Sequence, residues 1–303
     1  MKKAREVLVI GGNRYFGKRL ISRLVAAGDR VTVLNRGSSA PPPGVAHLVA
    51  DRDDERALAE AVGTRVFDVV LDQVCYTPRQ AAVARRVFAG RTGRYVMTST
   101  VEVYEHEDSE KLVPEGAVDP AAVAVDLELP WDEPGFLESH YGEGKRQAEA
   151  VFTTDPAFPF VSVRVAHVLG GDDDFTGRLQ HYADRIRTGA PVAVPPVTHP
   201  ATYIHVEEIA DFLFWTAGED FTGPVNAASH GLLALDGLST AVAAQLPGGA
   251  VVFEVTESGE VSPFAFHRRY GMDNSRAARL GFTFGDVRQW LPKAVAETLG
   301  KDD

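Results

Sequence analysis

Residues 7–17 constrain the fold of this chain more than any other stretch. Val7-Leu8-Val9-Ile10 is a short apolar run without polar alternation, the pattern of a strand buried on both faces. It breaks at Gly11-Gly12-Asn13-Arg14-Tyr15-Phe16-Gly17, then reopens as an amphipathic stretch with Leu20, Ile21, Leu24 and Val25 on one face. Strand, glycine turn and helix in that order make the first unit of a doubly wound α/β sheet. Backbone N–H groups at the start of such a helix favour a pyrophosphate, and glycine lets that backbone come close. By itself the turn fits a plain βα connection as well as a dinucleotide site.

The alternation continues along the chain. Strands are expected at Val7–Ile10, Arg30–Leu34, Ala46–Val49, Phe67–Leu71, Tyr95–Thr98 and Phe160–Val163. Helices are expected at Lys18–Ala27, Glu55–Val62, Pro78–Phe88 and Tyr141–Phe152, with later ones at Val206–Ala217 and Asp286–Leu299. That succession predicts a Rossmann-type, doubly wound parallel sheet with a smaller C-terminal α+β substrate lobe. The expected division gives residues 1–169 to the dinucleotide-binding domain, with 203–230 returning to it. Residues 170–202 and 231–303 then form the lobe. Residues 105–140, rich in Asp, Glu and Pro, read as a long surface excursion leading to Tyr141.

Composition narrows the partners. A net charge of −11, from 31 basic and 42 acidic residues, disfavours nucleic acid, whose recognition leaves a basic footprint. No apolar run approaches the roughly 20 residues that span a bilayer, and the apolar run behind the basic N-terminus is too short for a secretory signal. The expectation is a cytoplasmic protein without a membrane segment. One cysteine, Cys75, excludes an internal disulfide and reads as a buried small hydrophobe. The nine histidines lack ligand spacing, so no metal is expected.

Two further stretches bear on chemistry. The second strand ends Leu34-Asn35-Arg36-Gly37, where a site for NAD would place an acid on the ribose 2′-hydroxyl. A neutral Asn35 followed by Arg36 suits a 2′-phosphate, so NADP is expected ahead of NAD. Asp51, after the third strand, fits either an adenine amino contact or a solvated turn. Tyr141 and Lys145, in Tyr-Gly-Glu-Gly-Lys, lie one above the other on one helical face. A phenol and an ammonium so held make a proton donor and acceptor beside a nicotinamide. Ser99 and Thr100 emerge at the end of the fifth strand, where ligand crevices open.

With these motifs in order, the chain resembles the extended short-chain dehydrogenase/reductase superfamily, in the NAD-dependent epimerase/dehydratase group. The glycine turn is similar to the Gly-Gly-Thr-Arg-Phe-x-Gly turn of an atypical branch that includes relatives of chloroplast stem-loop RNA-binding proteins. Tyr203-Ile204-His205-Val206-Glu207-Glu208-Ile209-Ala210 resembles the family's Tyr-Ile-His-Val-x-Asp-Leu-Ala segment. Asp273-Asn274-Ser275-Arg276-Ala277 and Leu280-Gly281-Phe282 resemble its C-terminal pieces. The resemblance implies Tyr141 as acid/base, Lys145 as the residue that lowers its pKa and holds the nicotinamide ribose, and Thr100 as a hydrogen-bond partner of the reacting oxygen. A tyrosine acting as base near neutrality needs a downward shift of about 3 units, roughly 4 kcal/mol. The residues expected to bind the cofactor are Gly11, Asn13, Arg14, Tyr15, Phe16, Gly17, Asn35, Arg36, Asp51, Val74, Lys145, Val165 and His167. Glu102 and Tyr104 are expected to bind substrate. The resemblance also implies a homodimer through the helices carrying Val83, Val87 and Phe88 and Ala148, Val151 and Phe152, although those residues could equally cover the sheet.

Departures from the family's patterns narrow the reaction. Thr100-Val101-Glu102 stands where dehydratases carry Thr-Asp-Glu, and valine donates no proton to a leaving hydroxyl. Ala201-Thr202 stands where relatives place a diphosphate-gripping arginine, and His167 replaces an asparagine. The expected activity is hydride transfer between a nicotinamide and a small carbonyl or alcohol. A sugar or sugar-nucleotide epimerase is the rival enzyme, and a non-catalytic NADP- or RNA-binding protein the rival of another class.

Overall fold

Buried apolar runs alternating with amphipathic ones give strands alternating with helices. The computed structural model describes residues 3–38, 40–107, 109–155, 157–257 and 259–300. Its elements begin with β1 (Glu6–Ile10), α1 (Tyr15–Ala26), β2 (Arg30–Asn35), β3 (Ala46–Val49), α2 (Glu55–Val62) and β4 (Val69–Asp72). Next come α3 (Pro78–Phe88), β5 (Tyr95–Thr100), α4 (Pro134–Ser139), α5 (Tyr141–Thr153), β6 (Phe160–Val165) and β7 (His167–Leu169). The remainder is α6 (Arg178–Thr188), β8 (Val192–Val194), β9 (Tyr203–His205), α7 (Val206–Thr216), β10 (Gly223–Ala227), α8 (Leu235–Ala243), β11 (Phe253–Val255), α9 (Ser275–Leu280) and α10 (Val287–Leu299).

Seven strands form the main sheet in the order β10-β6-β5-β4-β1-β2-β3. Strands β1 to β6 pair in parallel, with Val7 opposite both Val31 and Val69, and Thr100 opposite Val165. The doubly wound sheet expected from the alternation is present, and the order reverses beside β1. α1 starts three residues before the expected Lys18, because the glycine turn itself supplies the first helical turn. The fourth strand starts at Val69 rather than Phe67, which makes only an isolated bridge to Thr92. Local capping fixes other starts: the Asp54 side chain accepts from the Ala57 N–H at 3.0 Å, and Thr77 caps α3 ahead of Pro78.

The chain divides into two units. The first holds residues 1–106, 115–165 and 210–226, and the second 107–114, 166–209 and 227–303. Residues 166–169, 203–209 and 227–230 therefore leave the domain expected for them. The reason is strand pairing: β7 pairs with β9 in a separate two-stranded sheet instead of joining the seven. Residues 107–114 follow because Val113 bridges to Met272. Leu8, Ile10, Leu34, Val70, Phe88, Tyr95, Phe152 and Phe160 belong to the core of the first unit. Leu169, Tyr182, Tyr203, Leu238 and Leu291 belong to that of the second. No helix among the described residues is long and apolar enough to cross a membrane.

The excursion expected over 105–140 is not merely a surface loop. Glu115, Pro120 and Trp131 are buried. Arg164 donates to the Glu115 and Val118 carbonyls at 2.9 Å each, and the Asp126 N–H donates to Gln147 Oε1 at 2.8 Å. Single side chains, not a repeating pattern, hold this segment against α5. Periodicity could not reveal it.

Candidate active site

The turn between β1 and α1 is built on two left-handed glycines, Gly11 and Gly12, each at φ +78°. A Cβ at Gly11 would sit 2.7 Å from Val74 Cγ1, and one at Gly17 would sit 2.6 Å from the Gly12 carbonyl oxygen. Both positions need glycine for the close approach. Gly11 N–H donates to the Leu34 carbonyl at 2.8 Å, which fixes the turn beside the end of β2. Tyr15 is buried at φ +53°, a backbone state that costs of order 1 kcal/mol outside glycine. Arg14 is exposed and caps α1 with extended backbone, Phe16 is half-buried, and the Asn13 amide donates to the Ala40 carbonyl at 3.5 Å.

Gln73, at the end of β4, reaches under this turn. A Cβ at Gly12 would lie 3.3 Å from its Nε2. That Nε2 is buried and has no hydrogen-bond partner among the described residues. A buried donor without an acceptor costs about 1–3 kcal/mol. An acceptor brought by a ligand at the turn relieves it. The glycine cradle and the orphaned amide both fit a dinucleotide.

At the end of β2, Asn35 Oδ1 accepts from the Gly37 N–H at 2.7 Å and from His47 Nε2 at 3.0 Å. A carbonyl oxygen has two lone pairs, so these bonds occupy its acceptor capacity. Neither position 35 nor position 36 carries a carboxylate. Arg36 is exposed and, among the described residues, has no ion-pair or hydrogen-bond partner. Asp51 is exposed, and its carboxylate accepts from the Asp53 N–H at 3.0 Å, a turn role.

The segment after β4 links the glycine turn to α5. Asp72 is buried and takes both oxygens to Arg52 Nη1, at 2.6 and 2.8 Å, while the Tyr95 hydroxyl donates to it at 2.5 Å. Its Oδ1 also accepts from the Val74 N–H at 3.1 Å, which sets Val74 against Gly11. Sequence reasoning missed this anchor, since neither Arg52 nor Asp72 belongs to a motif.

Lys145 is fully buried, and its ammonium donates to the Thr98 carbonyl at 2.8 Å. The ammonium lies 4.6 Å from the Tyr76 ring centroid and 5.8 Å from that of Tyr141. Burial lowers its pKa to about 8, against the pull of Cys75 and Asp72. Tyr141 opens α5 and is partly exposed. Thr100 ends β5, with its Oγ1 accepting from the Glu102 N–H at 3.2 Å and its own O–H still able to donate. Val165 ends β6 directly opposite Thr100. Gly142 and Gly144 were also missed. A Cβ at Gly144 would stand 2.5 Å from the Tyr76 carbonyl oxygen, and one at Gly142 would strike that of Glu102.

Three further expected residues lie as follows. Tyr104 is buried, its hydroxyl donating to Asn226 Oδ1 at 2.7 Å and accepting from Arg164 at 2.9 Å. Burial pushes its pKa up to about 12, and its position is that of an internal strut rather than a substrate contact. Glu102 lies in a 3₁₀ turn at 101–104 and donates its backbone N–H to Thr100 Oγ1. His167 opens β7 in the second unit, where its ring stacks on Phe266 at 4.7 Å and meets Tyr270 at 5.2 Å. Burial, with Arg178 and Arg268 adding to it, drives its pKa down to about 3, so the imidazole is neutral. Among the described residues no cluster of His, Cys, Asp and Glu could hold a metal.

Comparison with known proteins agrees with this geometry. The chain is 25% identical over 259 residues to the chloroplast stem-loop binding protein of 41 kDa b of Arabidopsis thaliana, covering 79% of this chain and 62% of that one. Thus it spans less than two thirds of that relative's length. Among solved structures, UDP-glucose 4-epimerase of Thermotoga maritima with UDP-glucose superposes with a TM-score of 0.76 at 14% identity, over 98% of this chain and 99% of that one. The Bordetella bronchiseptica enzyme WbmH in complex with NAD+ gives 0.74 at 17% identity, over 99% and 98%. The model of the NAD dependent epimerase/dehydratase family matches residues 7–228, the span that holds the glycine turn, the β5 terminus and Tyr141 with Lys145. The chain belongs to that family.

Proposed function

We propose that this protein is a nicotinamide-dependent oxidoreductase acting on a small carbonyl or alcohol. The observation that carries the reading is Lys145, a buried ammonium anchored on Thr98 and set beside the Tyr141 ring. Gly11, Gly17 and Gln73 would hold the pyrophosphate, and Lys145 the nicotinamide ribose. When bound, the nicotinamide supplies hydride chemistry. Tyr141 passes a proton to or from the substrate oxygen, Lys145 favours its phenolate, and the Thr100 O–H donates to the same oxygen. Turnover of NADPH with a panel of aldehydes and ketones tests this. Tyr141→Phe should abolish turnover while leaving cofactor affinity within about twofold of wild type. Undiminished turnover in that variant would sink the assignment.

The same reading prefers NADP, because Asn35 has its acceptor engaged and Arg36 has no ion-pair partner among the described residues. It also disfavours a nucleotide tail on the substrate. Val101, Ala201 and Thr202 are all buried, and Thr202 donates its hydroxyl to the Tyr270 carbonyl. One calorimetric series examines both points. NADP+ should bind more tightly than NAD+, and Arg36→Ala should erase the difference. UDP-, GDP- and dTDP-sugars should bind the NADP-loaded protein no better than roughly millimolar, about −4 kcal/mol. Micromolar binding of any of them would move an epimerase to first place. The Arabidopsis relative supports a second reading, stem-loop binding, against which the charge of −11 argues. Gel retardation with a stem-loop RNA separates the two.

A further inference from the structure

Tyr76 belongs to no motif, yet its ring is nearer to the Lys145 ammonium than that of Tyr141, 4.6 Å against 5.8 Å. The two tyrosine rings lie 6.3 Å apart at 46°, so the ammonium has an aromatic ring on each of two sides. Tyr76 is itself held firmly. Its N–H donates to Gln80 Oε1 at 2.7 Å, and its carbonyl is in close contact with Gly144, one residue before Lys145. Gly144 leaves no side chain between the two segments. The Tyr76 hydroxyl, by contrast, has no hydrogen bond among the described residues, so the ring rather than the hydroxyl meets the site. An aromatic face attracts a cation, and more strongly where water is excluded.

We propose that Tyr76 is a positioning residue that clamps the Lys145 ammonium by its ring and keeps it charged beside Tyr141. The groups facing Lys145 are Cys75, Asp72 and Arg52 on the β3 and β4 side, Thr98 on β5, Glu149 and Tyr141 on α5, and Tyr76. Arg52 opposes the charge and burial opposes it most, while Asp72 and Glu149 favour it. The clamp adds to the favourable side through the Tyr76 ring face, 4.6 Å from the ammonium.

The role rests on the proposed use of Lys145, but its test does not require turnover. The 13Cε resonance of Lys145 reports its titration in the protein without substrate. Tyr76→Phe should leave that titration in place, since the ring is kept. Tyr76→Leu should move it down by about one pH unit. Fluorinated phenylalanines at position 76 keep the shape while draining the ring face, and should lower it stepwise with fluorine count. This series remains informative if Tyr76→Leu fails to fold. A titration unmoved by fluorination, or Tyr76→Phe shifting it as far as Tyr76→Leu, would overturn the clamp. If the clamp holds and no carbonyl substrate is ever turned over, the functional reading fails and the clamp stands.

Discussion

Lys145 is held charged in a place that opposes charge. Its pKa falls from the ordinary 10.5 to about 8 because burial strips its water. The unfolded chain therefore binds this proton more strongly between those values. The destabilisation, roughly 3 kcal/mol, is fully present below pH 8 and fades as pH rises toward 10.5. Lys145→Met should raise stability at pH 7 by up to that amount, and the gain should vanish by about pH 10.5. Urea denaturation across that range measures it. A variant no more stable than wild type at pH 7 would mean that the Thr98 carbonyl and the two rings already offset the desolvation. A residue kept against stability is what a working site requires. The motif Tyr-x-x-x-Lys was legible at this scale; the Tyr76 ring was not, because an aromatic placed by a turn carries no periodic mark.

At the scale of elements, α5 packs closely because it carries two glycines. Alanine at Gly144 would gain about 1 kcal/mol of helix propensity. Its Cβ would also press 2.5 Å onto the Tyr76 carbonyl oxygen and 3.3 Å onto Trp131 Cζ3. A backbone oxygen cannot swing aside, so overpacking wins. Gly144→Ala should lower stability by about 1–3 kcal/mol, seen as a lower urea midpoint. An unchanged midpoint would show that the Tyr76 turn yields. The same helix presents Glu149, which pairs with the buried Arg164 at 2.6 Å and accepts from Ser99 at 2.6 Å. The strands and helices of the first unit were readable from apolar period to within two or three residues at their starts. The glycines of Tyr-Gly-Glu-Gly-Lys weaken a helix locally, and their purpose shows only against the segments they touch.

At the scale of the whole molecule, the apolar residues expected at a dimer face belong to the chain itself. Val87, Phe88, Ala148, Val151 and Phe152 lie in the core of the first unit, with Val83 packed against it. The rest of α5 is covered by the chain's own 115–133 segment, through Gln147 on Asp126 and Trp131 beside Gly144. Sedimentation should accordingly show no self-association through α3 and α5, and a dimer broken by a charge placed on α5 would contradict this. The order of residues alone marked the alternation of strands and helices, the glycine turn and the Tyr141–Lys145 spacing, since each is a pattern among residues near in the chain. Long-range pairing in the folded chain moved 166–169, 203–209 and 227–230 to the second unit. The tertiary structure alone made Tyr104 an internal strut, set Gln73 beneath the glycine turn and brought Tyr76 to Lys145. These depend on residues far apart in sequence meeting at one point, and a single chain read in order carries no sign of which distant partner will arrive.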